Sequence, residues 1–483
     1  MKRLALLVVL VAACGEVKED NGGGDNQPPT DVELSASSVE EQAPPGTRVG
    51  LLSAVDPDAG DHHSFELTAD GDGQFALEGA AVVVAPDAIL DHETSATVTI
   101  GVRATDDAGD SVDADLDIEI VDLREVVNTD DTGAGSLRQA IEDADPGETI
   151  LFETGVEGSI SVSSVLLLTK NVTIRGPRPP NPITLDALSG NGVFEISPAI
   201  SVTLQQLTIR GGSAGSGGGV SNQGALTAER CIFEDNVAAG FGRGGAIENA
   251  GTLTARDCLF RRNSGYNGGA VAADSQAGSS FERCTFQENT AAGNSGGAIV
   301  GGSVKILNST FVGNTASDPD LDRVGGAVAL FDGANLIAFS TFTGNFADGN
   351  GGAIFCTLSE GDSSTLGLRG SIVSGNDAGL GGADLSIDSS CILTGEHDVV
   401  SVGSGSGLTD GVDGNVVGTA VALVELGDNG GPTPTALPAA DSVSVDLVPA
   451  ESCTNLEGDA LDEDQRGEPR PAGDACDAGA VEL

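Results

Sequence analysis

GGAIENAGTLTARDCLFRRN, Gly244–Asn263, is one copy of a phrase that returns along the chain: paired glycines, a small residue and an aliphatic, then Phe-x-x-Asn. FEDN, FRRN, FQEN, FVGN and FTGN begin at Phe233, Phe260, Phe286, Phe311 and Phe342, at intervals of 27, 26, 25 and 31 residues. The glycine phrases begin at Gly217, Gly244, Gly268, Gly296, Gly325 and Gly351, spaced by 27, 24, 28, 29 and 26. Two motifs in phase mean one structural unit per repeat, with loops absorbing the variation. Each unit holds short strand-like pieces such as GAIEN, GTLTAR and DCLFRR and no helical stretch. A right-handed parallel β-helix with three short strands per rung, rungs stacked about 4.8 Å apart, satisfies this pattern. The Leu-x-x-Leu-x-Leu spacing of leucine-rich repeats is absent.

Within a rung the fixed residues acquire physical roles. Phe should point inward and stack on the Phe of the next rung. Asn at the bend can take the left-handed conformation and join an amide ladder, and the glycines allow a corner with positive φ. Cys231, Cys258, Cys284, Ser309 and Ser340 stand two residues before each Phe. The three cysteines could form a metal ladder or disulfides. Stacked, inert thiols are preferred, since rungs supply one sulfur each in line and not a tetrahedral cage.

The composition agrees with an all-β chain. Of 483 residues, 70 are glycine and only one is tyrosine, with no tryptophan, and aliphatics are spread throughout. That length allows two or more domains. Lys plus Arg number 22 against 73 Asp plus Glu, a net charge of −51, which sets the chain against phosphate backbones and excludes nucleic acid as a partner. Such acidity serves either as a solvated surface or as a means of capturing divalent cations.

The opening MKRLALLVVLVAACGE has two basic residues and then an apolar run, Leu4 to Ala13, too short to span a bilayer. Residues 1–13 read as a signal peptide, and Val11-Ala12-Ala13-Cys14 resembles the lipobox of bacterial lipoproteins. That resemblance implies lipidation of Cys14, contact with the membrane through the lipid alone, and an exported location at the outer membrane or cell surface. Residues 14–29, charged and Gly-rich, read as a flexible tether.

Residues 30–124 alternate apolar and polar residues in short runs, such as ATVTIGVRA (96–104) and VDADLDIEI (112–120). This is the pattern of an antiparallel β-sandwich. EQAPPGT (41–47), AVDPDAGD (54–61), LDHE (90–93) and ATD (104–106) resemble, in order, the motifs of cadherin-type repeats. The resemblance implies Ca²⁺ as cofactor and the ligand role for Glu41, Asp91 and Glu93 at one end and Asp56, Asp58 and Asp106 at the other. A hard cation wants six to eight oxygens supplied by several loops together. The family's terminal DxNDN linker is missing, since the chain reads Asp122-Leu123-Arg124-Glu125. His62 and His63, beside Asp61, read as exposed loop histidines and not as ligands.

In GSLRQAIEDADPG, Leu137, Ala140, Ile141 and Ala144 fall on one helical face, and Ser136 with Gln139 makes a capping box. This short helix should cover the exposed end of the coil. The coil is assigned to 125–425, and its GGA[IV] and FxxN repeats resemble those of polymorphic outer-membrane proteins, surface β-helices with adhesive roles. Residues 426–483 form an expected C-terminal cap. There, Asp464-Gln465-Arg466-Gly467, Arg470-Pro471 and Cys476-Asp477-Ala478-Gly479-Ala480 resemble the closing motif of choice-of-anchor Q proteins. Cys453 and Cys476 flank that segment, and an exported compartment permits a disulfide between them. Arg466 and Arg470 read as partners of local carboxylates.

Two functions remain in view. The first is a non-catalytic surface lipoprotein, adhesive or structural, with calcium-dependent rigidity and a surface protein or polysaccharide as partner. The second is a β-helix lyase or hydrolase acting on acidic polysaccharide, which needs converging carboxylates or Ca²⁺ ligands with a base. Fold alone does not choose. The richest polar cluster, Asp318, Asp320, Asp322 and Arg323, reads as a solvated loop, and a coil with Tyr266 as its sole non-Phe aromatic offers little platform for sugar. The non-catalytic reading is therefore preferred, with any function in the parts that do not repeat, such as Arg261 and Arg262.

Overall fold

A computed structural model describes residues 26–58, 60–177, 182–274, 277–293, 295–317, 324–359 and 363–483. Cys14, the apolar run before it and the cluster Asp318–Arg323 lie outside the described residues. The chain forms two compact units that divide between Leu123 and Arg124.

The first unit is a sandwich of two four-stranded sheets, ordered 31–34, 48–55, 81–84, 75–78 and 38–40, 111–121, 97–105, 64–69. The eleven-residue strand Ser111–Val121 shows why it forms: Asp113, Asp115, Asp117 and Glu119 face water while Ile118 and Ile120 are buried. Against them pack Val82, Val84, Ile100, Val102 and Ala104. The sheets are not wholly antiparallel. The first strand is broken after Leu34, so its second piece, Ser38–Glu40, crosses to the other sheet and pairs parallel with Glu119–Val121.

The second unit is a mainly parallel β-helix. Its sheets contain eleven, eleven, nine and seven strands, each paired with the strand one rung away. The expected three strands per rung are joined by a fourth, two-residue ladder running from Ser213–Ala214 to Asp377–Ala378. At the first rung the helix Leu137–Asp143 buries Leu137, Ala140 and Ile141 in the same core as Val126 and Phe152. Ser136 accepts the Gln139 N–H as its N-cap.

Inside the coil, Phe233, Phe260, Phe286, Phe311 and Phe342 stack with centroids 4.9, 4.6, 4.6 and 4.5 Å apart and are fully buried. Asn236, Asn263, Asn289, Asn314, Asn345 and Asn376 form a buried ladder. From Asn263 onward Nδ2 also donates to a Phe carbonyl, as Asn263 does to Phe233 and Asn289 to Phe260, both at 2.9 Å, while Asn236 donates to the Ile209 carbonyl. The left-handed residue is not the Asn itself. It is the residue before it, Asp235, Arg262, Glu288 or Gly313. The Asn side chain must point inward to reach its neighbours, so the preceding residue makes the corner.

The paired glycines divide two tasks. Gly244 has φ of 64°, and a Cβ on Gly245 would run into the Gly269 carbonyl of the next rung. The Cys/Ser column is also a hydrogen-bond ladder: Cys284 N–H donates to Ser309 Oγ, Ser309 N–H to Ser340 Oγ and Ser340 N–H to Ser371 Oγ. It continues through Asp398 and Asn415. Cys231, Cys258 and Cys284 are free and buried, and burial pushes the Cys258 thiol well up.

The expected C-terminal cap lies instead along the flank of the coil. Leu307, Ala338, Phe339, Ile372 and Val399 are covered by Val421, Val448, Cys453, Leu461, Cys476 and Ala478. Gln465 binds Thr285, Thr310 and Thr433, and Ala480 N–H donates to Thr341 Oγ1. Thr285, Thr310 and Thr341 sit beside inward Phe residues and so face outward, yet they are 0–1% exposed. An outward apolar and threonine strip on these rungs requires cover, and the tail supplies it.

Arg470 is buried, hydrogen-bonded to Glu482, Asn308 and the Gly479 carbonyl at 3.0 Å each, and its guanidinium stands over Phe339. Arg466 pairs with Asp464. Cys453 and Cys476 are disulfide-bonded, and so are Cys356 and Cys391, a bridge between the third and first sheets.

Candidate functional site

The six proposed ligands fall at two ends of the sandwich. Asp110 and Asp122 bracket the strand Ser111–Val121, which at about 3.4 Å per residue separates the ends by roughly 35 Å. At one end Glu41 is 1% exposed and accepts the Leu123 N–H at 2.8 Å and the His92 N–H at 3.2 Å. Burial raises its pKa, and Glu93 and Asp122 add to the rise while the two backbone donors oppose it. Asp91 accepts the Thr94 N–H at 2.9 Å, which fixes the loop.

At the other end Asp56, Asp58 and Asp61 bring carboxylate oxygens within 4.8 Å of one another. Asp56 and Asp58 were anticipated from the sequence, and Asp61 joins them because its loop folds back toward them. Asp61 has its pKa raised by desolvation and then by Asp56, Asp58 and Asp106. Asp106 is 6% exposed and accepts three backbone N–H groups, from Ala108, Gly109 and Asp110. Its second oxygen accepts from Asn26 at 2.9 Å, and that hydrogen bond leads the causes holding its pKa low. Asn26 also donates to Asp110, and Gln27 N–H donates to Asp58 at 2.6 Å.

His63 corrects the exposed-loop reading. Its side chain is 11% exposed and its Nε2 lies 2.9 Å from Asp56 Oδ2. The reason is position: His63 immediately precedes the strand Ser64–Ala69, which draws it against the carboxylate. An all-oxygen set of three clustered carboxylates, with a fourth held by backbone donors, is the chemistry of a hard cation.

The coil carries its charges differently. Arg261 reaches Glu234 at 2.5 Å and Arg262 reaches Asp235 at 2.8 Å, each bridging to the rung before. Arg283 likewise binds Asp257 at 2.7 Å. These non-repeating residues are thus cross-rung ion pairs.

The fold is a cadherin-like sandwich followed by a right-handed β-solenoid. The cadherin domain matches residues 35–121, the right-handed β-helix region matches 166–342, and the Chlamydia polymorphic membrane protein repeat matches 339–357. Among curated proteins, the chain is similar to the protocadherin-like wing polarity protein stan of Drosophila melanogaster, 27% identical over 171 residues, or 34% of this chain and 5% of the relative. It is also similar to the protein dachsous of Drosophila melanogaster, 32% identical over 110 residues, or 21% of this chain and 3% of the relative. The chain therefore spans only a small fraction of these relatives' length. Among solved structures it is similar to Drosophila N-cadherin EC1-3, at 20% identity and a TM-score of 0.18, covering 23% of this chain and 41% of that one. Another is protocadherin gamma B7 cadherin domains 1–4, at 29% identity and a TM-score of 0.17, covering 20% and 25%.

Proposed function

We propose that this is a non-catalytic, surface-exposed lipoprotein, anchored through Cys14, with an adhesive or structural role and an N-terminal module that calcium rigidifies. The observation that carries the reading is the Asp56, Asp58 and Asp61 cluster within a match to the cadherin domain. Asp106 and Asn26 border it. Bound Ca²⁺ would neutralise these carboxylates and tie together the loops that bear them. Asp56, Asp58 and Asp61 would hold the ion, Asp106 would order the neighbouring loop through its backbone donors, and Asn26 would link the incoming chain to that end. The partner is a surface protein or polysaccharide, met by outward residues of the coil, whose fixed residues are spent on core and corners.

Isothermal titration calorimetry with Ca²⁺ on the full chain tests the metal reading. A binding isotherm that disappears in Asp58→Ala is expected, and an isotherm unchanged by that substitution would overturn it. Incubation with polygalacturonate or alginate should give no ultraviolet absorbance from unsaturated uronate, and a steady rise would favour the enzyme.

A further inference from the structure

Beside Ile247–Asn249 of the coil's third sheet, the turn that leads into the strand carries side chains that belong neither to the main core nor to the cluster covered by the tail. Three features converge there. In the turn closed by Gly242 N–H to the Ala239 carbonyl, Phe241 stands at the tip, 83% exposed, the most exposed large apolar side chain among the described residues. Its ring meets Tyr266 of the next rung edge to face at 5.0 Å, and Tyr266 lies against Gly293 of the rung after, where a Cβ would strike its ring.

The second feature is polar. Arg243, two residues past Phe241, bridges to Asn267, the residue after Tyr266, so the aromatic pair and the guanidinium begin on neighbouring backbone. The Arg243 side chain then reaches Asp274 at 2.8 Å and the Ala273 carbonyl. Glu248 points outward on the same rung, and burial raises its pKa while Arg243 opposes the rise. The third feature is the backbone. Val220–Asn222, Ile247–Asn249 and Val271–Ala273 are paired on both sides, so the face has no open edge for an extended peptide to join.

We propose that this face, with the exposed Phe241 ring as a stacking surface braced edge to face by Tyr266, and Arg243, Asp274 and Glu248 as hydrogen-bonding groups, binds a neutral oligosaccharide. The inference rests on the adhesive reading, names its partner class, and revises the expectation of little platform for sugar, since Phe241 stands outside the inward Phe column. A pyranose has an apolar face that covers an aromatic ring, and hydroxyls that both donate to carboxylates and accept from a guanidinium. Two carboxylates against one guanidinium, on a chain of net charge −51, disfavour an anionic glycan.

The chain has one tyrosine and no tryptophan, so its tyrosine emission reports from Tyr266 alone. Full-length protein would be titrated with cellohexaose, mannohexaose and chitohexaose, and with polygalacturonate as the acidic probe. At least one neutral probe should change the emission saturably, and Phe241→Ala and Arg243→Gln should each weaken that binding about tenfold or more. Phe241 is exposed and its truncation leaves the core intact, so a melting curve unchanged from the parent separates lost binding from lost fold. No response to any neutral probe, a response to polygalacturonate alone, or wild-type affinity in Phe241→Ala would each overturn the proposal. None of these results bears on calcium binding by the first unit.

Discussion

Each rung is held by a few residues whose substitution has a definite cost. Phe286 lies between Phe260 and Phe311 in the stack and has no exposed surface. Phe286→Ala should destabilise the coil by about 3–5 kcal/mol through the cavity it leaves, measured by denaturant unfolding. Asn289→Ala should cost about 1–3 kcal/mol, because it leaves the Asn263 amide and the Phe260 carbonyl without their buried partner. These roles were legible in the sequence, since a fixed Phe and a fixed Asn at a regular period can only be packing and laddering. The left-handed residue was not legible, because its identity varies from Asp235 to Arg262 to Gly313 and only its φ is constant. Asp61 and His63 were missed for a related reason: their role depends on how one loop folds back, which neither period nor motif encodes.

Among the elements, the ladder that starts with cysteines passes through Asp398 on its way to Asn415. The Asp398 Oδ1 accepts the Ser371 N–H, and its Oδ2 is buried without a partner. Burial raises its pKa well above the ordinary carboxylate value, so the folded chain holds this proton more tightly than the unfolded chain. That stabilisation is complete below the unfolded pKa and is lost as pH rises through the folded one. Asp398→Asn keeps the acceptor and cannot ionise, so its melting temperature should gain on the parent as pH rises. Parallel melting curves across pH would contradict this.

The tail offers a second test at this scale. Arg470→Ala leaves Glu482 buried and unpaired, at about 3–5 kcal/mol, and limited proteolysis should then release residues near the C-terminus first. The tail's Cys453–Cys476 disulfide was legible but the tail's place was not, because an end segment reads alike whether it plugs the coil or lies along it. The placement follows from outward residues such as Thr285, Thr310 and Phe339, which differ from the repeat only in ways that matter once a neighbour covers them.

For the whole molecule, the sequence carried both architectures: alternation gave the sandwich and a period near 27 gave the coil. The proposed function was less legible, because it is assigned to side chains such as Phe241, Arg243 and Asp61 that no repeat fixes. The central claim is that calcium stabilises the first unit and leaves the coil alone. Differential scanning calorimetry of the full chain tests it most directly, since two compact units should melt in two transitions. At a calcium concentration a hundredfold above Kd, one site adds about 2.7 kcal/mol, on the order of 10–20 °C for a unit of about 100 residues. The gain should shrink in acid, because a protonated Asp61 no longer repels Asp56 and Asp58, the repulsion that calcium relieves. The account predicts that EDTA lowers one transition, that Ca²⁺ restores it, and that Asp56→Ala abolishes the response. Both transitions unmoved by EDTA and calcium would contradict it.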